Sequence, residues 1–434
     1  MSKNVLIDKF QAIVNPCVNI SGSKSYANRA LIVSAIANGV SKISNLPYCD
    51  DVKYMLLSLE NLGIVIEKIG ENEIKIYGNS GVFSNIKKNE LFCNIAGTTS
   101  RFLTSLAILI HENIIITGCG KLLERPISDL ENAISQLGVE IKYLEKNGCI
   151  PIEILSQKNL KNTITLNGNI SSQFTSSLLM IAPRLKNGLK IQVQGEVISR
   201  PYIDITLDVM QNFGVQISHK SYAEYQIYNQ RYIPFDCSIE GDWSSASYFF
   251  AFSLANNIDL KLYGLKQNSI QGDCKITDIF IKMGCKIEHY FDYILIKGSK
   301  KINPIEVNMN NMPDSAMTII CMCALADGVS VISGLSTLKN KETDRLLAIH
   351  TELLKLGIKT EIYDEKIVIY GNSNLKLENI VNIETYHDHR VAMCFAIMAS
   401  RLGNIVIEDY MVVSKSMPEF WYILKNIGVI FQKC

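Results

Sequence analysis

The sequence predicts an α/β protein of two domains built from six similar units, and two periodic features support this fold class. The first is a pair of a hydrophobic residue and a glycine that closes an amphipathic segment, as in LENAISQLGVEI. It recurs at intervals of 70–76 residues, at Gly63, Gly138, Gly214, Gly284, Gly357 and Gly428. A glycine commonly ends a helix because it accepts the left-handed backbone conformation. Each pair therefore predicts an amphipathic helix that leads into a β-strand.

The second feature is a set of segments that begin with small or polar residues and then become almost wholly apolar. Six of them follow one another at intervals of 70–74 residues, marked by Lys24, Thr98, Ser172, Ser245, Ser315 and His389. Helices that are apolar on nearly all sides are expected in the interior of a layered protein. Short β-branched stretches lie between the two helix types and predict strands, for example IIITG, ITLNG and VSVISG.

Each unit is predicted to run strand, buried helix, strand, amphipathic helix, strand, strand in about 72 residues. Six such units account for nearly all of the 434 residues. A six-fold repeat of this kind does not form one simple sheet. We therefore expect three units in each domain, with the change-over near Gly241.

Composition excludes several classes of protein. The 43 basic and 42 acidic side chains leave a net charge of +1, which argues against a generally basic nucleic-acid-binding protein. The N-terminus, MSKNVLIDKF, lacks the apolar region of a secretory signal, and the longest apolar runs fall short of the ~18 residues that a membrane span needs. We expect a soluble protein that is not exported and has no membrane or nucleic-acid partner.

No pattern of metal ligands is evident in the sequence. The 12 cysteines include no CxxC pair and are expected to be small buried hydrophobic residues in a reducing cytosol, with metal binding the less favoured alternative. His387 and His389 flank Asp388, but histidines two positions apart diverge on a helix and no third ligand is evident. We therefore expect no metal site.

The candidate functional residues gather at predicted helix N-termini. The buried helices begin with Ser, Thr, Asp or Gly, and a helix N-terminus presents N–H donors and a partial positive charge that bind anions. The alternative at any one helix is that these residues only cap it and that nearby cations lie on solvated surface. Polar residues at the helix start recur at the same place in all six units, which favours anion binding. The cations at these places are Lys24, Arg29, Arg101, Arg125, Arg200, Lys341, Arg345, Arg390 and Lys415.

Two carboxylates lie among these cations. Asp314 is at the start of a predicted buried helix, and Glu342 follows Lys341 directly. A carboxylate among cations and bound phosphates is suited to proton transfer. The alternative for Asp314 is that it is a helix N-cap. Serines such as Ser23 lack the GxSxG context of a hydrolase nucleophile, and GSKS is not a P-loop.

The motifs, taken together, resemble the EPSP synthase (3-phosphoshikimate 1-carboxyvinyltransferase) family of enolpyruvyl transferases. The resemblance runs from Gly22 to Phe420 in the family's order, through SGSKSYANRALIVSAIANG, AGTTSR, ERPI, SSQFTSSLLMIAP, SRPYIDIT, GDWSSASYF, MPDSAM, KETDR, DHRVAM and KSMPEF. It implies a two-domain fold of six βαβαββ units, three per domain. The implied domains are residues 22–242 and residues 243–434, the second completed by the N-terminal segment 1–21.

The resemblance also implies a reaction. The enolpyruvyl group of phosphoenolpyruvate passes to the 5-hydroxyl of shikimate 3-phosphate by addition and elimination, giving 5-enolpyruvylshikimate 3-phosphate and phosphate on the way to chorismate. It implies no metal or organic cofactor, a monomer, and a cytoplasmic location.

Site residues follow from the resemblance by position. The implied catalytic residues are Lys24, Asp314 and Glu342. The implied ligands of shikimate 3-phosphate are Lys24, Ser25, Arg29, Ser171, Ser172, Gln173, Ser199, Tyr202, Asp314, Thr337 and Lys341. The implied ligands of phosphoenolpyruvate are Lys24, Gly97, Arg125, Gln173, Arg345, Arg390 and Lys415.

Three positions depart from the family's pattern. Thr337 stands where many members have Asn, which is expected to weaken a hydrogen bond to substrate. Ile95 replaces a common Asn and Phe102 replaces a Pro found in some members; both positions border the pocket where the phosphonate glyphosate competes with phosphoenolpyruvate. Gly97 is expected to leave that space open, so we predict sensitivity to glyphosate.

A related family of the same fold transfers the enolpyruvyl group to UDP-N-acetylglucosamine. That family uses a cysteine acid in a loop near the position of Arg125, and here the loop offers only Cys119 without a matching context. Ser171, Ser172 and Gln173 favour the shikimate enzyme.

Two further alternatives are less favoured. A catalytically inactive paralogue would not need to retain Lys24, Asp314 and Glu342. A fused polypeptide of several enzymes is not expected, because 434 residues match one enzyme of this family.

Overall fold

The computed structural model describes residues 3–169 and 171–434, so residues 1 and 2 of the predicted N-terminal segment lie outside the described residues. Contacts divide the chain into two units. The first unit is Gly22–Glu240, and the second is Gly241–Cys434 together with the N-terminal segment up to Ser21.

The helices alternate between the two predicted types. In the described residues they are α1 (Lys24–Ala35), α2 (Asp50–Asn61), α3 (Gly97–Leu106), α4 (Ser128–Gln136), α5 (Ser172–Ile181), α6 (Arg200–Asn212), α7 (Trp243–Asn256), α8 (Ile276–Met283), α9 (Ala316–Ala324), α10 (Arg345–Lys355), α11 (His389–Leu402) and α12 (Phe420–Asn426). Short 3₁₀ turns also occur, at Ala107–Leu109, Gly120–Glu124, Ala182–Arg184, Gly272–Lys275, Ser336–Asn340 and Tyr410–Lys415.

The strands are short. In the described residues they are β1 (Val5–Ile7), β2 (Cys17–Asn19), β3 (Asn38–Ser44), β4 (Val65–Gly70), β5 (Glu73–Asn79), β6 (Glu90–Phe92), β7 (Ile114–Thr117), β8 (Ile141–Tyr143), β9 (Ile152–Ile154), β10 (Thr163–Asn167), β11 (Leu189–Gln194), β12 (Ser218–Lys220), β13 (Glu224–Ile227), β14 (Cys237–Ser238), β15 (Asp259–Tyr263), β16 (Lys286–His289), β17 (Tyr293–Lys297), β18 (Glu306–Asn308), β19 (Gly328–Ser333), β20 (Thr360–Tyr363), β21 (Lys366–Gly371), β22 (Val381–Ile383), β23 (Ile405–Ile407) and β24 (Phe431–Lys433).

Residues 3–169 and 171–434 form six sheets of four strands, the same number as the units counted in the sequence. Every sheet has one parallel pair at its edge, followed by two antiparallel pairs. The sheets of the first unit are β14-β3-β5-β4, β6-β7-β9-β8 and β10-β11-β13-β12. The sheets of the second unit are β2-β15-β17-β16, β18-β19-β21-β20 and β22-β23-β1-β24.

Two edge strands, β2 and β14, each lie in one unit, whereas the helix that follows each of them lies in the other unit. Strand β2 precedes α1 of the first unit but pairs with β15 of the second, with Val18 opposite Leu262. Strand β14 precedes α7 of the second unit but pairs with β3 of the first, with Cys237 opposite Ile43. The N-terminal strand β1 lies between β23 and β24, which ties the start of the chain to the second unit.

The predominantly apolar helices form the interior of each unit. Helices α1, α3 and α5 pack together in the first unit, and α7, α9 and α11 in the second. In α9 all residues from Ala316 to Ala324 are buried. Two pairs of polar side chains bond to each other between these helices: Ser105 Oγ donates to Ser177 Oγ at 2.7 Å, and Ser247 Oγ lies 3.0 Å from Thr318 Oγ1. None of the helices in the described residues is long and apolar enough to cross a bilayer.

The expectation that the cysteines are buried is wrong for two of them. Cys17 and Cys434 are exposed, because the first lies on an edge strand and the second is the last residue. Seven of the 12 cysteines are buried, and three have intermediate exposure.

All six predicted helix-ending glycines have φ between 79° and 119°. Their surroundings differ, which gives a matched pair of substitutions in the first unit. A Cβ at Gly63 would lie 2.3 Å from the backbone oxygen of Asn85, whereas the nearest atom to a Cβ at Gly138 is 4.0 Å away.

We expect Gly138→Ala to cost only the strain of the left-handed conformation, about 1–2 kcal/mol. Gly63→Ala should cost about 1–3 kcal/mol more, because backbone must move to admit the methyl group. Thermal unfolding of both variants, followed by circular dichroism, measures the difference. Equal melting temperatures would show that the contact with Asn85 relaxes freely.

Candidate active site

The predicted site residues fall into two groups, one in each unit. The Lys24 cluster, in the first unit, comprises Lys24, Ser25, Arg29, Gly97, Arg125, Ser171, Ser172, Gln173, Ser199 and Tyr202. The Asp314 cluster, in the second unit, comprises Asp314, Thr337, Lys341, Glu342, Arg345, Arg390 and Lys415. Most members lie at or next to the first turn of a helix, where backbone N–H groups have no partner within the helix.

Lys24 is the first residue of α1, and its Nζ lies 3.0 Å from Oδ2 of Asp51. Asp51 is buried in the first turn of α2, and its backbone oxygen accepts a hydrogen bond from Thr99 Oγ1 at 2.9 Å. The ammonium group is therefore held between the starts of α1, α2 and α3. Asp51 is not among the residues predicted from the sequence, because no spacing pattern relates it to Lys24.

Arg29 is almost completely buried and joins α1, α5 and α6. Its guanidinium donates to Thr206 Oγ1 at 2.7 Å, Ser25 O at 2.7 Å, Tyr202 O at 3.0 Å and Ser176 Oγ at 3.3 Å. Burial lowers the pKa of Arg29 to about 10, so the side chain is still a cation at neutral pH. Four of its five N–H groups bind these partners, which fixes the backbone next to Ser25 and Tyr202.

Gln173 is held between α3 and α5. Its Oε1 accepts a hydrogen bond from Arg101, and its Nε2 donates to Thr98 Oγ1 at 3.1 Å. Its backbone N–H donates to Ser171 Oγ, so the hydroxyl of Ser171 caps α5. The amide group therefore has a fixed orientation at the start of α5.

Gly97 and Arg125 are in direct contact. A Cβ on Gly97 would lie 2.4 Å from Nη1 of Arg125. The expectation of open space at Gly97 is therefore wrong, because the guanidinium of Arg125 fills it. Phe102 is buried, and its ring centroid is 5.2 Å from the guanidinium carbon of Arg29.

Ser199 has the left-handed conformation, with φ 53° and ψ 40°, at the N-cap of α6. This conformation costs a non-glycine residue about 1–2 kcal/mol. The backbone oxygen of Ser199 accepts a hydrogen bond from the N–H of Tyr202 at 3.1 Å. Strain at a position that the sequence also singles out supports a functional role for the Ser199 backbone or hydroxyl.

Arg345 is the centre of the Asp314 cluster. Its Nε lies 2.7 Å from Asp388 Oδ2, its Nη2 lies 2.8 Å from Glu342 Oε2, and its Nη1 lies 3.3 Å from Asp314 Oδ1. Burial acts to lower the pKa of Arg345, but the carboxylates of Asp388 and Glu342 outweigh it, so the pKa is raised. The guanidinium is a permanent cation that connects three carboxylates.

Asp314 faces three cations. Its carboxylate lies 2.9 Å from Arg390 Nη2, 3.3 Å from Arg345 Nη1 and 3.5 Å from Lys341 Nζ. The N-cap of α9 is Ser315, so the alternative assignment of Asp314 as an N-cap is wrong. Its side chain is 19% exposed, which leaves the carboxylate accessible to a substrate.

Glu342 is bound in a similar way, by one arginine and one lysine. Its Oε2 is 2.8 Å from Arg345, and its Oε1 is 2.6 Å from Nζ of Lys415, which is buried. Lys415 is the last residue of the 3₁₀ turn before α12. Asp314 and Glu342 are therefore two carboxylates that share one guanidinium.

Arg390 is fixed at the start of α11. Its Nη1 donates to Asp314 O at 2.8 Å and to Tyr248 Oη at 3.1 Å. Its backbone N–H donates to Asp388 Oδ1 at 2.8 Å, so Asp388 both caps α11 and pairs with Arg345. The described residues include no group of three or more His, Cys, Asp or Glu placed to hold a metal ion.

Thr337 lies in the 3₁₀ turn Ser336–Asn340 that leads to Lys341. Its Oγ1 is buried and has no hydrogen-bond partner among the residues that the structure describes. A buried hydroxyl usually has a partner. This hydroxyl therefore remains a candidate donor or acceptor for a ligand.

The chain is similar in sequence to a well-defined enzyme family. The model of the family described as EPSP synthase (3-phosphoshikimate 1-carboxyvinyltransferase) matches residues 10–424. The chain belongs to the EPSP synthase family. A relative from Shewanella baltica strain OS155, named 3-phosphoshikimate 1-carboxyvinyltransferase, is 40% identical over 407 residues, which are 93% of this chain and 95% of the relative. A relative of the same name from Shewanella oneidensis is 39% identical over 415 residues, 95% of this chain and 96% of the relative.

Solved structures of EPSP synthase and of a related transferase have the same fold. An EPSP synthase from Acinetobacter baumannii matches with a TM-score of 0.82 at 21% identity, over 99% of both chains. The enolpyruvyl transferase NikO from Streptomyces tendae matches with a TM-score of 0.79 at 15% identity, over 100% of this chain and 99% of its own. The predicted enolpyruvyl-transferase fold is thus confirmed.

Proposed function

We propose that the Lys24 and Asp314 clusters carry out the enolpyruvyl transfer of the EPSP synthase family. The chain transfers the enolpyruvyl group of phosphoenolpyruvate to shikimate 3-phosphate and releases phosphate, a step of aromatic amino acid biosynthesis. The residue assignment depends above all on one observation. Asp314 and Glu342, two partly accessible carboxylates, share the buried guanidinium of Arg345 and are each bound by a lysine.

Both substrates carry a phosphate and a carboxylate, so the site must neutralise four anionic groups. In the Lys24 cluster, hydroxyls and backbone N–H groups at the starts of α1, α5 and α6 surround the cations and suit a phosphate ester. We assign shikimate 3-phosphate, as the family resemblance implies, to Lys24, Ser25, Arg29, Ser171, Ser172, Gln173, Ser199, Tyr202, Asp314, Thr337 and Lys341.

Phosphoenolpyruvate is assigned to a set of residues that includes three arginines. A guanidinium binds a carboxylate or phosphate with two parallel hydrogen bonds. Arg345 and Arg390 are buried and held by carboxylates, so they are oriented before any ligand binds. We assign phosphoenolpyruvate to Lys24, Gly97, Arg125, Gln173, Arg345, Arg390 and Lys415.

Asp314 is proposed to exchange a proton with the 5-hydroxyl of shikimate 3-phosphate. As that oxygen bonds to C2 of phosphoenolpyruvate, the methylene carbon gains a proton and becomes a methyl group, which gives a tetrahedral ketal phosphate. The C–O bond to phosphate then breaks, and one methyl proton is removed to restore the double bond. Glu342 is the proposed partner of Asp314 in these transfers.

Lys24 is proposed to stabilise the charge that develops at the reacting centre. It is held 3.0 Å from Asp51, so the ammonium group is oriented before the reaction, which is the condition for electrostatic stabilisation. All proposed acids and bases are side chains, and the proposed anion-binding groups are side chains and backbone N–H groups. The proposed steps therefore use no metal and no organic cofactor.

The location, oligomeric state, partners and domain limits of the protein are also proposals. We propose a cytoplasmic monomer, as the family resemblance implies, with no nucleic-acid partner, which the net charge of +1 supports. The domain limits 22–242 and 243–434 with 1–21 stay a prediction, which is supported by the division of the contacts at Gly22 and Gly241.

We expect Asp314→Ala to lower turnover by about 10²–10⁴-fold, because it removes a positioned proton-transfer group. Phosphate release from phosphoenolpyruvate in the presence of shikimate 3-phosphate measures turnover, and calorimetry measures the binding of shikimate 3-phosphate, which should be retained. Asp364→Ala is the control, since Asp364 is a fully exposed aspartate of the same unit and should leave turnover unchanged.

Turnover of Asp314→Ala close to that of the wild type would remove Asp314 from the mechanism. The same assay with UDP-N-acetylglucosamine as acceptor tests the substrate assignment. Turnover with that acceptor alone would overturn shikimate 3-phosphate as the substrate.

Gly97→Ala should displace the Arg125 guanidinium and weaken phosphoenolpyruvate binding. A lost charged hydrogen bond costs about 1.5–3 kcal/mol, so we expect the KM for phosphoenolpyruvate to rise about tenfold or more. The KM for shikimate 3-phosphate and the melting temperature should change little. Gly138→Ala is the control because its new methyl group meets open space. An unchanged KM for phosphoenolpyruvate would show that Arg125 does not bind this substrate.

Glyphosate should compete with phosphoenolpyruvate. Like that substrate it carries a carboxylate and a phosphorus oxyanion, which the same guanidinium groups can bind. Because the Arg125 guanidinium occupies the space at Gly97, Gly97→Ala should weaken glyphosate inhibition as well. Initial rates at several concentrations of both compounds give the inhibition pattern. A lack of competition at millimolar glyphosate would contradict the prediction.

A further inference from the structure

A buried aspartate, Asp273, is hydrogen-bonded to the residue that follows Asp314. Asp273 belongs to the 3₁₀ turn that precedes α8, and only 3% of it is exposed. Its Oδ1 accepts a hydrogen bond from the hydroxyl of Ser315, which is fully buried and follows Asp314 in the chain. The turn that carries Asp314 is thus attached to a neighbouring element by one hydrogen bond to a carboxyl group.

The charged groups around Asp273 come from three further elements. They are Asp314 in the turn before α9, Arg390 on α11 and Asp242 at the N-cap of α7. Burial, and next the charge of Asp314, raise the pKa of Asp273 to about 6, against the hydrogen bond from Ser315 and the charge of Arg390. Asp273 therefore ionises close to neutral pH and interacts electrostatically with Asp314.

The position of the turn that carries Asp314 matters, because the carboxylate of Asp314 lies within 3.5 Å of Lys341, Arg345 and Arg390. A shift of the turn would change all three distances. A group that transfers a proton must also lie within hydrogen-bond reach of its partner, so a small displacement of Asp314 lowers its efficiency.

We propose that Asp273 is a positioning residue of the active site, which fixes the turn of Asp314 by accepting the hydrogen bond of Ser315. The proposal rests on the role in proton transfer proposed above for Asp314. Asp273 itself is buried and is not proposed to contact a substrate.

Three substitutions test the proposal. Ser315→Ala removes the donor of the hydrogen bond and Asp273→Ala removes its acceptor, so in both variants kcat should fall about tenfold, with both KM values within about twofold of the wild type. Asp273→Asn keeps a side-chain oxygen that can accept the hydrogen bond, so it should restore most of the kcat that Asp273→Ala loses.

Asp278→Asn is the matched control, since Asp278 is an exposed aspartate in the first turn of α8 and should keep the wild-type kcat. A wild-type kcat in Ser315→Ala, or a kcat of Asp273→Asn as low as that of Asp273→Ala, would overturn the proposal. Ser315→Ala removes one oxygen only and is expected to fold, so its kcat decides the positioning role even if Asp273→Ala does not fold.

Asp314→Ala, measured in the same series, separates this proposal from the assignment of Asp314. If Asp314→Ala keeps its turnover, the assignment of Asp314 fails, and the role of Asp273 fails with it. If Asp314→Ala is inactive while Asp273→Ala and Ser315→Ala behave like the wild type, only the role of Asp273 is wrong.

Discussion

The second unit depends on one buried guanidinium, that of Arg345. Three carboxylates surround it, and two of them, Asp314 and Glu342, are proposed catalytic groups. The third, Asp388, also caps α11 and so fixes the position of Arg390. Removing one partner of a buried ion pair leaves an uncompensated charge, which costs about 3–5 kcal/mol. The starts of α10 and α11 and the turn before α9 are therefore held in place by the same charged groups that are proposed to take part in the reaction.

The first unit uses a buried arginine in a different way. Arg29 has hydroxyl and carbonyl acceptors instead of carboxylates, and it joins the first turns of α1 and α6 to the side of α5. Its positive charge is not neutralised by these groups, so it contributes to the field that attracts an anion. In both units an arginine fixes helix starts before a ligand binds. Fixed donors of this kind stabilise developing charge without reorganisation during the reaction.

The fold follows from local patterns, and for that reason the sequence predicts it well. The helix-ending glycines and the apolar helices are each set by residues within one or two turns, so their spacing is visible in the chain. The pairs Lys24–Asp51 and Arg345–Asp388 join distant positions, and no periodic pattern marks them. The placement of side chains also cannot be predicted from such patterns. The sequence shows that residue 97 is a glycine, but it does not show that the guanidinium of Arg125 fills the space beside it.

The shared guanidinium gives a physical reason for a pair of carboxylates in this reaction. Addition needs a proton to be taken from a hydroxyl and another delivered to carbon, and elimination needs a proton to be removed again. Asp314 and Glu342 both lie next to Arg345, whose guanidinium orients the two carboxylates and stays protonated itself. The proposed proton transfers of addition and elimination can therefore be divided between two fixed carboxylates, with no proton supplied by the cation between them. Their lysines, Lys341 and Lys415, keep the remaining charge compensated throughout.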